Sequence, residues 1–245
     1  MFSNVEFSVD SMSILTILSI LSSWGLIIYF VTKQYLKLEK RPVVWKMILA
    51  TFIGLFAVTN PLTVFETYVK LAILPLGVWI LYFYLRHRHT SWQQYRTFAW
   101  IGFWSNYISL VVTLLFSFLQ NSIYPESEAS SYIANVNHAA IVAIHPSASV
   151  AKLDRNKLLN QLEQVQPDVN TVDAWYIGSK LESETYFQHE RFPYLIIGVK
   201  SKWGSGLEAA IYIQDDGKGL YIAGRDRHYY FRSEQPLIEV EVRNS

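Results

Sequence analysis

Four long apolar runs fill the first half of the chain: Ser13 to Val31, Val43 to Thr59, Leu62 to Leu85 and Phe98 to Leu119. Each is near the roughly 20 residues a helix needs to cross about 30 Å of hydrocarbon. A chain so built cannot bury these runs in one small soluble core, and the expected first half is a four-helix membrane domain over residues 1–120. The polar second half then forms a separate domain.

Orientation follows from Lys and Arg in short connections, because these residues resist translocation while acids count for little. Lys33, Lys37, Lys40, Arg41 and Lys46 surround the first connection, and Arg86, Arg88 and Arg96 surround the third, beside His87 and His89. Both read as cytoplasmic. The leader carries Glu6 and Asp10 without a basic residue, and the second connection has only Glu66 and Lys70. These read as external, and so does everything after Leu119. Acid before the first run and base after it is the reverse of a secretory signal, so a retained span with an external N-terminus is expected. The third run is the weakest, since Glu66 and Lys70 interrupt it; four apart on a helix, they would pair on one face.

Cysteine is absent, which removes disulfides and thiolate chemistry together. The chain also lacks an Asn-x-Ser/Thr sequon, and the two absences point to a bacterial plasma membrane. From Asn121 onward there are 12 Lys and Arg against 16 Asp and Glu, so the external half is acidic and unsuited to nucleic acid.

In that half, residues 121–130 read as a polar linker and 131–245 as a small α+β domain with an antiparallel sheet and one main helix. Ala139 to Ile144 is a strand ended by His145-Pro146. Asp154 is the expected N-cap of a helix whose apolar face is Leu158, Leu159, Leu162 and Val165, with Lys157, Gln161 and Gln164 elsewhere and Pro167 as its stop. Strands follow at Thr171 to Ile177, Tyr194 to Val199, Glu208 to Gln214, Lys218 to Ala223, His228 to Arg232 and Leu237 to Val242. Asp215-Asp216-Gly217 is a hairpin turn, and Ile238, Val240 and Val242 alternate with Glu239 and Glu241.

Nucleotide-loop, zinc-protease and nucleophile-elbow motifs are missing, and no cofactor, metal or catalytic residue is expected. Asp215, Asp216 and Glu208 lack the calcium-loop pattern and read as a turn. In the spans, Asn106 with Ser105 and Ser109 reads as helix packing, as do Ser19, Ser22, Ser23 and Gly25; Trp24, Trp45, Trp79 and Trp100 read as membrane aromatics. One external region stands out for binding. Trp203 in Lys202-Trp203-Gly204-Ser205-Gly206, with Arg225, Arg227, His228 and Tyr230, combines the aromatics and arginines that dominate interfaces. In the hairpin reading these meet at the end of the sheet away from Gly217.

Each cytoplasmic connection is too short to fold as an effector, so an external event must pass sideways through the spans. The expected function is a non-enzymatic integral membrane accessory, sensor or immunity-type protein that binds an extracellular ligand or protein partner and acts with another membrane protein in the bilayer. The alternatives are a cell-envelope enzyme using Glu182, Glu184 or Glu190 with His189, and a transport-complex subunit, for which Asn106 alone offers little ion pathway.

Overall fold

The computed structural model describes residues 12–64, 67–86, 89–162, 165–167, 190–225 and 227–240. It divides into two compact units, Ile14–Ser122 and Met1–Ser13 with Ile123–Ser245.

In the first unit, α1 (Ile14–Lys37) has 24 residues, about 36 Å at 1.5 Å per residue. It is followed by α2 (Val44–Gly54), β1 (Val58–Val64), β2 (Thr67–Leu74), α3 (Leu76–Leu85) and α4 (His89–Ile123). Among the described residues two helices, α1 and the Trp92–Ile123 part of α4, are long and apolar enough to cross a membrane.

The second and third apolar runs depart from the expected spanning helices. Helices α2 and α3 have 11 and 10 residues, each about half the thickness of the hydrocarbon layer. Between them β1 and β2 form an antiparallel hairpin, with Asn60 opposite Leu71 and Thr63 opposite Tyr68. The local chemistry explains this. Pro61 disfavours helical backbone at Asn60, and Val58, Thr59, Thr63, Val64, Thr67, Val69 and Ile73 are β-branched. A run this dense in apolar residues carries no periodicity that separates helix from strand. Lys70 lies on β2 opposite Pro61, so the helical pairing with Glu66 has no basis; Glu66 itself is outside the described residues.

Three glycines hold α2, α3 and α4 together. A Cβ added at Gly54 would collide with the Ala99 carbonyl, one at Gly77 with the Ile53 carbonyl, and one at Gly102 with the Thr51 carbonyl. Around this contact Met47, Ala50, Val78, Leu81, Phe98 and Phe103 are buried in one cluster. Asn106 does join elements: its Nδ2 donates to the Leu55 carbonyl at 3.2 Å and to Phe103 at 3.0 Å, satisfying an acceptor at the end of α2. The Tyr107 hydroxyl donates to the Ala72 carbonyl, and Thr67 and Ser117 hydroxyls bond each other, so α4 also fastens the hairpin. In α1 the close-contact stripe is Ser19, Ser23 and Ile27. Gly25 has open space beside it and Ser22 is exposed, which corrects the wider seam.

The second unit is α+β. After a short helix α5 (Ala129–Tyr132) come β3 (Ala140–Ala143), β4 (Ala151–Lys152), α6 (Arg155–Leu162), β5 (Gln166–Pro167), β6 (Tyr194–Ile197), β7 (Ala209–Ile213), β8 (Gly219–Gly224), β9 (His228–Arg232) and β10 (Glu239–Val240). The main sheet has the order β3-β6-β7-β8-β9-β5, every pair antiparallel. Asp154 caps α6, its Oδ1 accepting from Asn156 N at 3.0 Å and Lys157 N at 3.1 Å. Gly217, at φ +71°, closes the β7–β8 hairpin.

One face of the sheet buries Ile196, Ile211, Ile213, Leu220, Ile222 and Phe231 against Leu158 and Leu162 of α6. Leu159 is 37% exposed while Gln161 is buried and donates to Gln235, because the inward stripe runs 158, 161/162, 165. Pro167 lies in β5 rather than stopping α6 directly. Ile238 is buried and Glu239 exposed, as the alternation expects, Leu237 ahead of them is buried as well, and β10 pairs with β4 outside the main sheet; Glu241 and Val242 lie outside the described residues. The expected strand at Thr171 to Ile177 lies outside the described residues. Ala129, Tyr132 and Ile133 are in the same core, so the segment leaving α4 packs as part of this unit.

Gly77→Ala should lower the melting temperature and monodisperse yield of the full chain in detergent, because overpacking against a backbone carbonyl typically costs about 1–3 kcal/mol. Gly25→Ala should leave both unchanged or raised, about 1 kcal/mol being gained from helix propensity. Equal behaviour of the two would show that the glycine contact does not hold the unit.

Candidate functional site

The loop between β6 and β7 is built for an exposed corner. Lys200 exchanges backbone hydrogen bonds with Asn135, 2.9 and 3.0 Å, and Lys202 N donates to the Ser131 carbonyl at 3.0 Å. Ser205 N then donates to the Lys202 carbonyl at 3.0 Å, with Gly204 at φ +77°. This is a type II turn, which needs glycine at its third position and puts Trp203 at the outer corner. Trp203 is 86% exposed.

The connector after α4 fixes this corner from one side. The Tyr124 hydroxyl donates to the Trp203 carbonyl at 3.1 Å, and Lys202 Nζ lies 3.9 Å from the Glu128 carboxylate. Trp203, Lys200, Lys202, Glu208, Tyr132 and Met12 line a cleft of about 840 Å³, within the roughly 300–1,000 Å³ typical of small-molecule sites. Met12 lies two residues ahead of α1.

The same connector meets the β8–β9 turn. Gly224 N donates to the Arg227 carbonyl at 2.9 Å. Arg227 hydrogen-bonds the Tyr229 hydroxyl, which itself donates to Glu126 Oε2 at 3.4 Å. The Tyr132 ring lies 6.3 Å from that of Tyr229. Burial pushes the Tyr132 hydroxyl well above the usual phenol range, and the charges of Glu126 and Tyr229 add to it while Arg227 opposes. Burial also raises Tyr229. Both phenols are therefore held neutral as hydrogen-bonding groups.

The structure thus brings Trp203 and Arg227 to one connector, with exposed Arg225 at the neighbouring turn. His228 and Tyr230 face the other side of the sheet. Tyr230 is buried, its hydroxyl donating to Gln214 Oε1 at 2.6 Å and accepting from Arg232 at 3.1 Å, with the Arg191 guanidinium 5.1 Å from its ring centre. His228 is exposed, its ring 5.9 Å from Tyr221.

That other face was not anticipated. Pairing places Val142, Leu195, Tyr212, Tyr221 and Tyr230 in one row across five strands. The three tyrosines are nine residues apart in sequence, a spacing that acquires meaning only once two hairpin registers are known. A cavity of about 450 Å³ opens beside the row, lined by His145, Glu190, Phe192, Tyr212 and Tyr221 among others. His145 Nδ1 is 2.8 Å from Ser147 Oγ, and Glu190 accepts from Phe192 N at 3.1 Å. Glu182, Glu184 and His189 lie outside the described residues.

Asp216 serves its turn: Oδ1 accepts from Lys218 N at 2.8 Å, and Oδ2 pairs with Arg232 at 2.8 Å. Among the described residues no group of three His, Asp or Glu could hold a metal. Comparison with known proteins finds no matching family model, no similar curated protein and no similar solved structure.

The two arginines should separate in stability. Arg227→Ala removes a bond to a partly buried hydroxyl and should cost about 1.5–3 kcal/mol, whereas exposed Arg225→Ala should stay within about 0.5 kcal/mol. Denaturant melts of both variants check this, and equal melts would show that Arg227 does not hold the turn to the connector.

Proposed function

We propose that the chain is a non-enzymatic multipass membrane protein, an accessory, sensor or immunity-type component, whose external domain binds a ligand or protein partner at the Trp203 cleft. The carrying observation is that the cleft is assembled from Met12 and from residues bonded to the connector at Tyr124 and Glu128. Those points adjoin the outer ends of α1 and α4 in the chain. Occupancy that favours one arrangement of the cleft therefore biases those helices, and the output reaches a neighbouring membrane protein by differential contact.

Orientation rests on the basic connections. Lys33 to Lys46 precede the body of α2 and Arg86 follows α3, so the excursion through α2, the hairpin and α3 starts and finishes on the inner side. Whether it crosses or only re-enters, α4 still departs from the cytoplasm and the domain is outside. Met12 and the C-terminal domain share one unit, which supports an N-terminus on that same side. The plasma membrane of a bacterium remains the proposed location.

A second reading, a cell-envelope enzyme, is favoured by one feature: the close His145–Ser147 pair near the cavity that Glu190 also lines. It would place function on the tyrosine face, away from Trp203.

Single cysteines test both points. Cysteine at Ser127 or Glu234 should react with a membrane-impermeant maleimide in whole cells, and cysteine at Lys40 or Gln93 should not; the reverse overturns the orientation. A photo-crosslinker at Ser201→Cys should capture a stoichiometric membrane partner that the same label at Glu234→Cys does not. Silence of Trp203→Ala together with loss of function in His145→Ala or Ser147→Ala would select the enzymatic reading.

A further inference from the structure

A groove runs between α1 and α4, and its chemistry changes along its length. Phe30, Lys33 and Lys37 of α1 and Trp100, Ile101 and Trp104 of α4 line about 530 Å³. On each helix these residues recur three or four apart, so each contributes one continuous stripe. The lysines occupy the last two turns of α1, while the aromatic and aliphatic side chains continue along the groove. Phe30, Trp100 and Trp104 are 42%, 40% and 56% exposed, leaving an apolar floor open at the side. Among the described residues Lys33 Nζ meets the Tyr29 hydroxyl, at 3.5 Å, and its ring. Among the described residues neither Lys33 nor Lys37 pairs with a carboxylate.

We infer that this groove is a binding site for one anionic glycerophospholipid of the inner leaflet, with its phosphate at Lys33 and Lys37 and an acyl chain along Trp100, Ile101 and Trp104. The inference rests on the membrane reading above, in which the end of α1 faces the cytoplasm. Two unpaired ammonium groups at one end and an apolar stripe at the other match an amphiphile with a negative head. A neutral amphiphile would leave both charges unanswered at the edge of the hydrocarbon, where ammonium groups reach for headgroups. A soluble anion would leave the floor empty. Bilayers supply the matching molecule at the right depth, and basic residues near the inner surface attract its headgroup.

The test is native mass spectrometry of the full chain in detergent with equimolar phosphatidylglycerol and phosphatidylcholine. Phosphatidylglycerol should be retained as one molecule per chain, roughly thirtyfold over phosphatidylcholine, as two basic contacts of about 1 kcal/mol each imply. Lys33→Gln with Lys37→Gln should bring the two lipids level, whereas Lys40→Gln with Arg41→Gln should change nothing. Thr97 also lines the groove, and Thr97→Trp, which fills it without altering charge, should reduce occupancy by either lipid. Equal retention of both lipids by the unaltered chain would overturn the site, as would an equal effect of the Lys40 and Arg41 pair or full occupancy in Thr97→Trp. Extraction of the chain from membranes by alkaline carbonate would instead sink the membrane reading, and the site with it.

Discussion

Two helices of 10 and 11 residues and a hairpin of 7- and 8-residue strands share a unit with long apolar helices. Such pieces persist in an apolar setting only if their backbone groups find partners within the protein, since lipid offers none. Backbone contact at Gly54, Gly77 and Gly102 makes that possible. It lets α2 approach both α3 and α4, and beside it Asn106 answers Leu55 while Tyr107 answers Ala72 of β2. Any side chain at those positions would push the partners out of bonding range.

The second unit depends on a comparable device. Its sheet is closed on one face by α6 and by Ala129, Tyr132 and Ile133, and the connector that supplies these also bonds Trp203, Lys202 and Tyr229. Core packing and the bonds to the Trp203 turn thereby fall on the same nine residues, 124–132. Trp203 itself is 86% exposed, so its side chain contributes little to the fold.

Much of the sheet was legible in the sequence. The strands at Tyr194, Glu208, Lys218 and His228, the Gly217 turn and the Asp154 cap each rest on a local rule, and each is found. Failures came where locality ends. An apolar run from Leu62 to Leu85 reads alike as helix or hairpin, and only Pro61 and the β-branched density hinted at the latter. β10 leaves the main sheet for β4, a tertiary choice that alternation cannot register. At the site, Trp203 and Arg227 were expected to be near each other, but their shared dependence on Tyr124, Glu126 and Glu128 was not, since the connector looks like an ordinary polar linker. Tyr230 is aromatic like its neighbour, but the two-residue period sets it on the opposite face from Tyr229.

Coupling of the cleft to the helix end through Tyr124 is the centre of this account, and hydrogen exchange of the full chain in lipid nanodiscs measures it most directly. Tyr124→Phe should speed exchange together in residues 199–207, in the connector 124–132 and in the last turn of α4, while the amides of β7 and β8 stay protected. Faster exchange confined to Trp203 and its immediate neighbours, with the end of α4 unchanged, would contradict it.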